Sequence, residues 1–515
     1  MNSGSQDDSQ VIATSSGRGA RVLGAIERVG NRLPHPLYLF LIMAALVAVG
    51  STIAHAFGAQ TMDPATGEPR AVEGLLTADG AVYALTSMIE NFVSFPPLGL
   101  IITVMLGIGL AERVGLLSAF MRGAVSSAPP WALTFVVVIV SIMGNLASDA
   151  AMVIIPPLAA VAFYVVGRHP LAGFAASYCA VIAGFSANFM IAGTDVLLAG
   201  ITTSGAQIVD PEMTVTPLAN WYFMAASTLV LAVAITLTCT RYLEPRLGSF
   251  TGHIDVDTEA PITREEKRGM SWAGAAMVSF IALVAAVVIP GGSPLRGEDG
   301  GVLQSPFMDS IPVLILFFFI IGAVTYGVVS GSLTSASEAP QHMADALKDL
   351  VPFIVVIFVA AQAIAWFDWS GLGMLVATSG AEALEAGNLD GMSGLVLFSI
   401  FVIIPNFFIL SGSAQWALLA PIFVPMFMMV GIDPAYTQAA FRISDSAFNP
   451  LVPVNPMLPV VLGLMQRFAP KSGLGTLFSI VLPFTVVVWV VWMILFLIWG
   501  GFELPMGPGH ELYLD

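Results

Sequence analysis

The chain has 515 residues, of which 57% are hydrophobic and 10% charged, with a formal net charge of −16. That charged share is about half the soluble norm, and apolar runs of roughly 20 residues recur along the chain, which excludes a soluble domain and marks a polytopic membrane protein. The negative charge sits in loops and tails and speaks against nucleic acid as a partner.

Taken in order, segment 1–36 is a polar tail carrying Arg18, Arg21, Arg28 and Arg32. Ala54-His55-Ala56 has the form of a signal cleavage site, but the leader is too long, so a retained first helix over about Leu37–Phe57 is expected. Segment 37–95 holds that helix and the acidic loop 58–80. An apolar helix then runs from Pro96–Pro97 to about Glu112, followed by Trp131–Met143, the stretch GNLASDAAMVIIPPLAAVAFYVVG, a helix over Leu171–Ala187, a break near Asn188–Asp195 and a helix over Leu218–Tyr242. Linker 244–269 is hydrophilic, and segment 270–349 holds two plain helices, Met270–Ile289 and Ile311–Val329. The second half, 350–500, ends in the helix Leu477–Trp499, before the tail 501–515. Cations cluster in the N-terminal tail, the 244–269 linker and the 467–471 loop, which places these in the cytoplasm and the C-terminus on the far side. Cys179 and Cys239 lie in apolar helices, where two small buried residues are expected in preference to a disulfide.

Segments 96–243 and 350–500 carry a repeat. Ser148 precedes Pro156 by eight residues, as Ser413 precedes Pro421. Val166–Pro170 matches Val430–Pro434, and the spacing Pro97 to Gly115 matches Pro352 to Gly371 to within one residue. The first of the matched turns carries Arg168 and His169, whereas the second carries Asp433, as opposite sides of a membrane would require. The expected fold is therefore all-α, with nine spanning helices and two re-entrant hairpins, near 145–166 and 411–430, arranged as inverted repeats with broken helices. Hairpin tips near Asn145–Asp149 and Ser411–Gln415, with breaks near Asn188–Asp195 and Asn449–Pro456, leave backbone groups without helical partners at mid-membrane. Those groups and the helix-end dipoles bind anions and cations.

The motifs SGSAQW, FRISDS, NPLVPVNP and AGTD resemble the p-aminobenzoyl-glutamate transporter (AbgT) family over nearly the whole chain. The resemblance implies a dimeric inner-membrane transporter with a water-filled cavity. It also implies substrates related to folate, with p-aminobenzoyl-glutamate taken up by some members and p-aminobenzoate and sulfonamides exported by others. The family's functional positions fall on Asp195, Ser413, Trp416, Pro434, Arg442, Asp445 and Pro453.

Each of these residues has a chemical expectation. Arg442 and Asp445, three apart, share a helix face; Arg442 is expected to anchor a substrate carboxylate, with Asp445 as its resting partner. Asp195 has no cation within 20 positions in sequence, and burial without a cation favours the protonated form, so it is expected to be the better proton carrier, with Asp445 as the alternative. Asn145, Ser148 and Asp149 offer oxygens suited to sodium. Trp416 offers a face for an aminobenzoyl ring, Ser411 and Ser413 offer donors, Asn449 lies beside the pair, and Pro434 and Pro453 shape the cavity. Gly184–Ala187 fits the loose GxSx pattern of intramembrane proteases, but no base accompanies it, and there is no HExxH, P-loop or metal-spaced Cys/His cluster. A channel lacks its ring of acids or carbonyl filter. The expected function is secondary transport without a cofactor: export of p-aminobenzoate and sulfonamides by proton antiport, or alternatively sodium- or proton-coupled import of p-aminobenzoyl-glutamate.

Overall fold

The computed structural model describes residues 36–514 apart from 63–67, 148–149, 253–261, 298–299, 304, 410, 454, 456 and 471. Ser148 and Asp149 therefore lie outside the described residues. The first half contains α1 (Pro36–Ala56), a two-stranded ribbon of β1 (Gln60–Met62) and β2 (Pro69–Ala71), α2 (Ala78–Thr86) and α3 (Met88–Val93). It continues with α4 (Pro96–Arg113), α5 (Leu116–Ser126), α6 (Leu133–Met143), α7 (Ala150–Val165), α8 (Pro170–Ala183), α9 (Gly193–Ala206) and α10 (Trp221–Leu247). Two connecting helices follow, α11 (Arg264–Val288) and α12 (Ile311–Ser330). The second half contains α13 (Glu338–Trp369), α14 (Leu372–Ala386), α15 (Met392–Asn406), α16 (Gly412–Met429), α17 (Pro434–Phe448), α18 (Leu458–Gln466) and α19 (Leu474–Gly501).

Eight of these helices are individually long and apolar enough to cross a bilayer among the described residues, one of them the hairpin arm α16. Counted as a path, α1, α4, α10, α11, α12, α13 and α19 cross singly. The interrupted pairs α8–α9 and α17–α18 add two crossings, while α6–α7 and α15–α16 form the hairpins. The loop expected over 58–80 is partly ordered as the ribbon and the start of α2. α11 begins six residues before its expected start because Thr263 and Glu266 form a capping box: Glu266 N–H donates to Thr263 Oγ1 at 3.1 Å and Thr263 N–H to Glu266 Oε2 at 2.8 Å.

The repeat is visible in backbone conformation. Gly115 and Gly371 both adopt positive φ and start α5 and α14. Gly167 and Gly431 do the same ahead of α8 and α17, each of which opens with a proline at its first position. His169 and Asp433 occupy the same N-cap place, each side chain accepting from the backbone N–H two residues on.

Helices in lipid gain little from the hydrophobic effect and instead pack through small residues. Gly205 on α9 lets the two halves meet, since a Cβ there would fall 2.8 Å from the Ala420 carbonyl oxygen of α16. Buried hydrogen bonds join the same elements. Trp416 Nε1 donates to Thr202 Oγ1 (2.9 Å), Thr202 Oγ1 to Gln438 Oε1 (2.5 Å), Gln438 Nε2 to Asn220 Oδ1 (2.7 Å) and Asn220 Nδ2 to the Ala435 carbonyl (2.8 Å). The chain of donors runs from α16 through α9 to α17, so α9 and α17 are held as one block.

Candidate functional site

Both hairpin tips and both helix breaks converge on one chamber of ≈ 270 Å³. Asn145 enters from the first tip and Ser186 and Thr194 from the first break. Ser411, Gly412 and Ser413 come from the second tip, and Asp445, Asn449 and Asn455 from the second break. Apolar walls come from Val181, Ile182, Phe185 and Leu197. The breaks exist because the helices end where their residues cannot continue them. α8 stops at Gly184, and α17 gives way to the 3₁₀ turn Asn449–Leu451, which carries Pro450.

Four chamber residues carry a buried oxygen with no hydrogen-bond partner among the described residues: Asn145 Oδ1, Thr194 Oγ1, Asn449 Oδ1 and Asp445 Oδ1. Asn145 is oriented by its amide, which donates to the Phe185 carbonyl and leaves Oδ1 free. Ser411 caps α16, accepting from Ala414 N–H at 3.3 Å, and lies 3.1 Å from Ser413 Oγ. The N-terminus of α16 thus faces the chamber with its dipole and first-turn N–H groups. Asp445 sits against that end. A Cβ on Gly412 would come 2.7 Å from Asp445 Oδ2, so Gly412→Ala should displace the carboxylate. Substrate affinity should then fall about tenfold or more, roughly 1.4 kcal/mol, while the melting temperature stays near the parent's; equilibrium binding beside a thermal melt checks both.

The ion pairing differs from the sequence expectation. Arg442 donates to Asp195 Oδ1 at 2.5 Å and to the Ser186 carbonyl at 2.8 Å, and its side chain is 1% exposed. Asp195 Oδ2 in turn accepts from Ala192 N–H at 2.7 Å. Asp195 therefore has a cation after all, supplied from 247 residues away along the chain. Asp445 lies within 4 Å of no cationic nitrogen among the described residues. Arg442 and Asp445 share α17 but serve different tasks: the first ties α17 to the break before α9, and the second faces the chamber. Ser446 Oγ, donating to Ser186 Oγ at 2.8 Å, doubles that tie. Neither Arg442 nor Asp195 lines the chamber.

Trp416 is also displaced from its expected role. It is fully buried, stacks on Phe441 with centroids 4.7 Å apart and gives its N–H to Thr202, so its ring is not offered to a ligand here. Pro434 starts α17 at the distant turn, and Pro453 lies between the chamber residues Asn449 and Asn455 without lining it. Cys179 and Cys239 are free and buried. Ser186 and Thr194 were not assigned from sequence. Thr194 was legible as the neighbour of Asp195 in AGTD, whereas Ser186 stood in a pattern considered only for proteolysis.

The comparisons with known proteins bear on this arrangement directly. The family model described as "AbgT putative transporter family" matches residues 21–514. The chain belongs to the AbgT family. The p-aminobenzoyl-glutamate transport protein of Escherichia coli (strain K12) is 41% identical over 500 residues, covering 96% of this chain and 97% of that protein. The YdaH transporter of Alcanivorax borkumensis, 36% identical, superposes with a TM-score of 0.87, covering 92% of this chain and all of that one. MtrF of Neisseria gonorrhoeae, described as illuminating a class of antimetabolite efflux pumps, is 38% identical with a TM-score of 0.90, over 95% of this chain and all of that one. This AbgT-family protein is thus a polytopic membrane transporter whose chamber lies between its interrupted helices.

Proposed function

We propose that this AbgT-family transporter exports p-aminobenzoate-type folate precursors and sulfonamide antimetabolites by proton antiport. In this reading it works as a homodimer in the bacterial inner membrane, with its N-terminus in the cytoplasm and its C-terminus in the periplasm. The observation that carries the proposal is Asp445, an acid with no ion-pair partner among the described residues, facing the chamber beside the N-terminus of α16. Both substrate classes bear an arylamine and, at the other end, an oxygen-rich acid or sulfonyl group. Ionised Asp445 accepts from the arylamine, while Ser411, Ser413 and the first-turn N–H groups of α16 donate to the oxygens. A proton arriving on Asp445 removes its capacity to accept from the amine. Proton and substrate then exclude one another, which is the thermodynamic requirement for exchange. Descriptions of the relatives support the chemistry: MtrF is linked to antimetabolite efflux, and p-aminobenzoyl-glutamate carries the same arylamine.

A second reading, sodium- or proton-coupled import of p-aminobenzoyl-glutamate, is favoured by the oxygens of Asn145, Thr194 and Asn449, unpartnered among the described residues, in the same chamber as the Asp445 carboxylate, a donor set that suits a hard cation. The test uses right-side-out and inside-out vesicles with labelled p-aminobenzoate and proton or sodium gradients imposed separately. Proton-driven extrusion is expected. Sodium-driven inward accumulation would replace it with the second reading.

A further inference from the structure

Beyond the central chamber, α9 leads to a second cavity system on the side of the β-ribbon. Two adjoining cavities of ≈ 360 and ≈ 140 Å³ share Gln207, Ile208 and Asp368 and form a polar vestibule. Arg70 of β2 enters the outer part, and Asn91 and Ser204 enter the inner part. Between vestibule and chamber lies a gap of only ≈ 10 Å³, which shares Phe95 with the vestibule and Ser413 with the chamber. Phe40, Phe95, Ile201 and Phe353 surround it. A space of that size is no larger than one water requires, and its aromatic and aliphatic walls give a water little to bond to.

We propose that this succession of cavities is the substrate's route to the ribbon side. The aromatic gap is its closed gate, and the Arg70–Asp368 vestibule is a second, transient binding site for a small molecule bearing an acid and an N–H donor. The proposal rests on the transport function argued above. Among the described residues Arg70 donates one hydrogen bond, from Nη2 to the Trp369 carbonyl at 3.0 Å, and a guanidinium carries further N–H groups that can meet a carboxylate. Asp368 lines the same cavity and accepts from an amine. Both residues are exposed and line the outer cavity, so a ligand entering it reaches them. The gap is closed by mostly apolar side chains, a constriction of the kind that opens by rotamer change and helix displacement. A mechanical link to the chamber is present: Phe95 caps α4, and the next turn packs on α9 so closely that a Cβ on Gly200 would lie 2.7 Å from Pro97 Cα. Thr194, in the chamber, lies on the first turn of the same α9. Movement of α9 on substrate binding therefore shifts the gate.

The test uses single added cysteines in membrane vesicles, the native Cys179 and Cys239 being buried. A charged, impermeant thiol reagent is applied to the side on which Ala71→Cys reacts. Gln207→Cys is expected to react as Ala71→Cys does, and Ser413→Cys to stay unmodified until Phe95→Ala is added, when it becomes reactive. Modification of Ser413→Cys with the gate intact overturns the proposal. So does protection that persists when Phe95→Ala and Ile201→Ala are combined in a chain whose Gln207→Cys control still reacts. No substrate enters this test, so it decides the route even if p-aminobenzoate proves not to be the cargo. Where vesicles do carry p-aminobenzoate, Arg70→Gln and Asp368→Asn should each lower flux about tenfold, and wild-type flux in both variants removes the vestibule site.

Discussion

Arg442→Ala should destabilise the protein by about 3–5 kcal/mol, because it leaves the Asp195 carboxylate buried without a counter-charge. The side chains of this pair are 1% and 8% exposed, and the pair spans the two halves of the fold, from α17 to the first turn of α9. Thermal unfolding in detergent should show a large drop in melting temperature, together with lost transport. Replacing both partners by apolar residues of similar volume, Arg442→Met with Asp195→Leu, should recover most of the lost stability, since no charge is then stranded. A single Arg442→Ala variant that melts like its parent but fails to bind substrate would return Arg442 to the role of carboxylate anchor. The structure argues otherwise: the guanidinium is already spent on Asp195 and on the Ser186 carbonyl.

Asp445→Asn should have the opposite profile, keeping the fold and losing the coupling. Asparagine is near-isosteric, and Asp445 Oδ1 has no hydrogen-bond partner among the described residues. Gradient-driven accumulation of p-aminobenzoate should fall about a hundredfold, equivalent to roughly 2.8 kcal/mol, while the melting temperature stays close to the parent's. The sign of the pH effect separates the two mechanisms. Under antiport the ionised carboxylate accepts the arylamine, so wild-type affinity rises with pH; under proton symport the protonated acid admits a substrate carboxylate at α16, so affinity falls with pH. In the Asn variant either slope should flatten. Equilibrium binding across the neutral range measures both, and an undiminished slope in Asp445→Asn would move the proton to another group.

The difference between these two acids explains how much of the site could be read from the chain. Asp195 and Asp445 are similar in sequence terms, each an acid in an apolar segment beside a helix break. Counting cations along the chain assigned Arg442 to Asp445, its neighbour by three, and left Asp195 alone. Only the approach of α17 to the first break reveals that Arg442 turns to Asp195. Trp416 is a parallel case: its place in SGSAQW marked the second hairpin correctly, but not that Thr202 and Phe441 would occupy its N–H and one of its faces. A helix face seen in sequence has a direction but no partner.

What the sequence determined alone was the set of elements and where each is interrupted. Apolar runs have to become spanning helices because hydrocarbon leaves the backbone no other partner. The positions at which they stop are written in Pro450 and the glycine pairs 115/371 and 167/431, where local geometry suffices, whereas α8 ends at Ala183, four residues short of the expected Ala187. The family followed too, since long ungapped motifs carry it. The charge partners, the burial of Trp416, the chamber itself and the route past Phe95 were decided by the tertiary structure. Each is a contact between residues up to hundreds of positions apart. Such contacts depend on which faces α9, α16 and α17 turn to one another, and in a membrane that choice is made by close packing and buried hydrogen bonds, not by hydrophobic patterning.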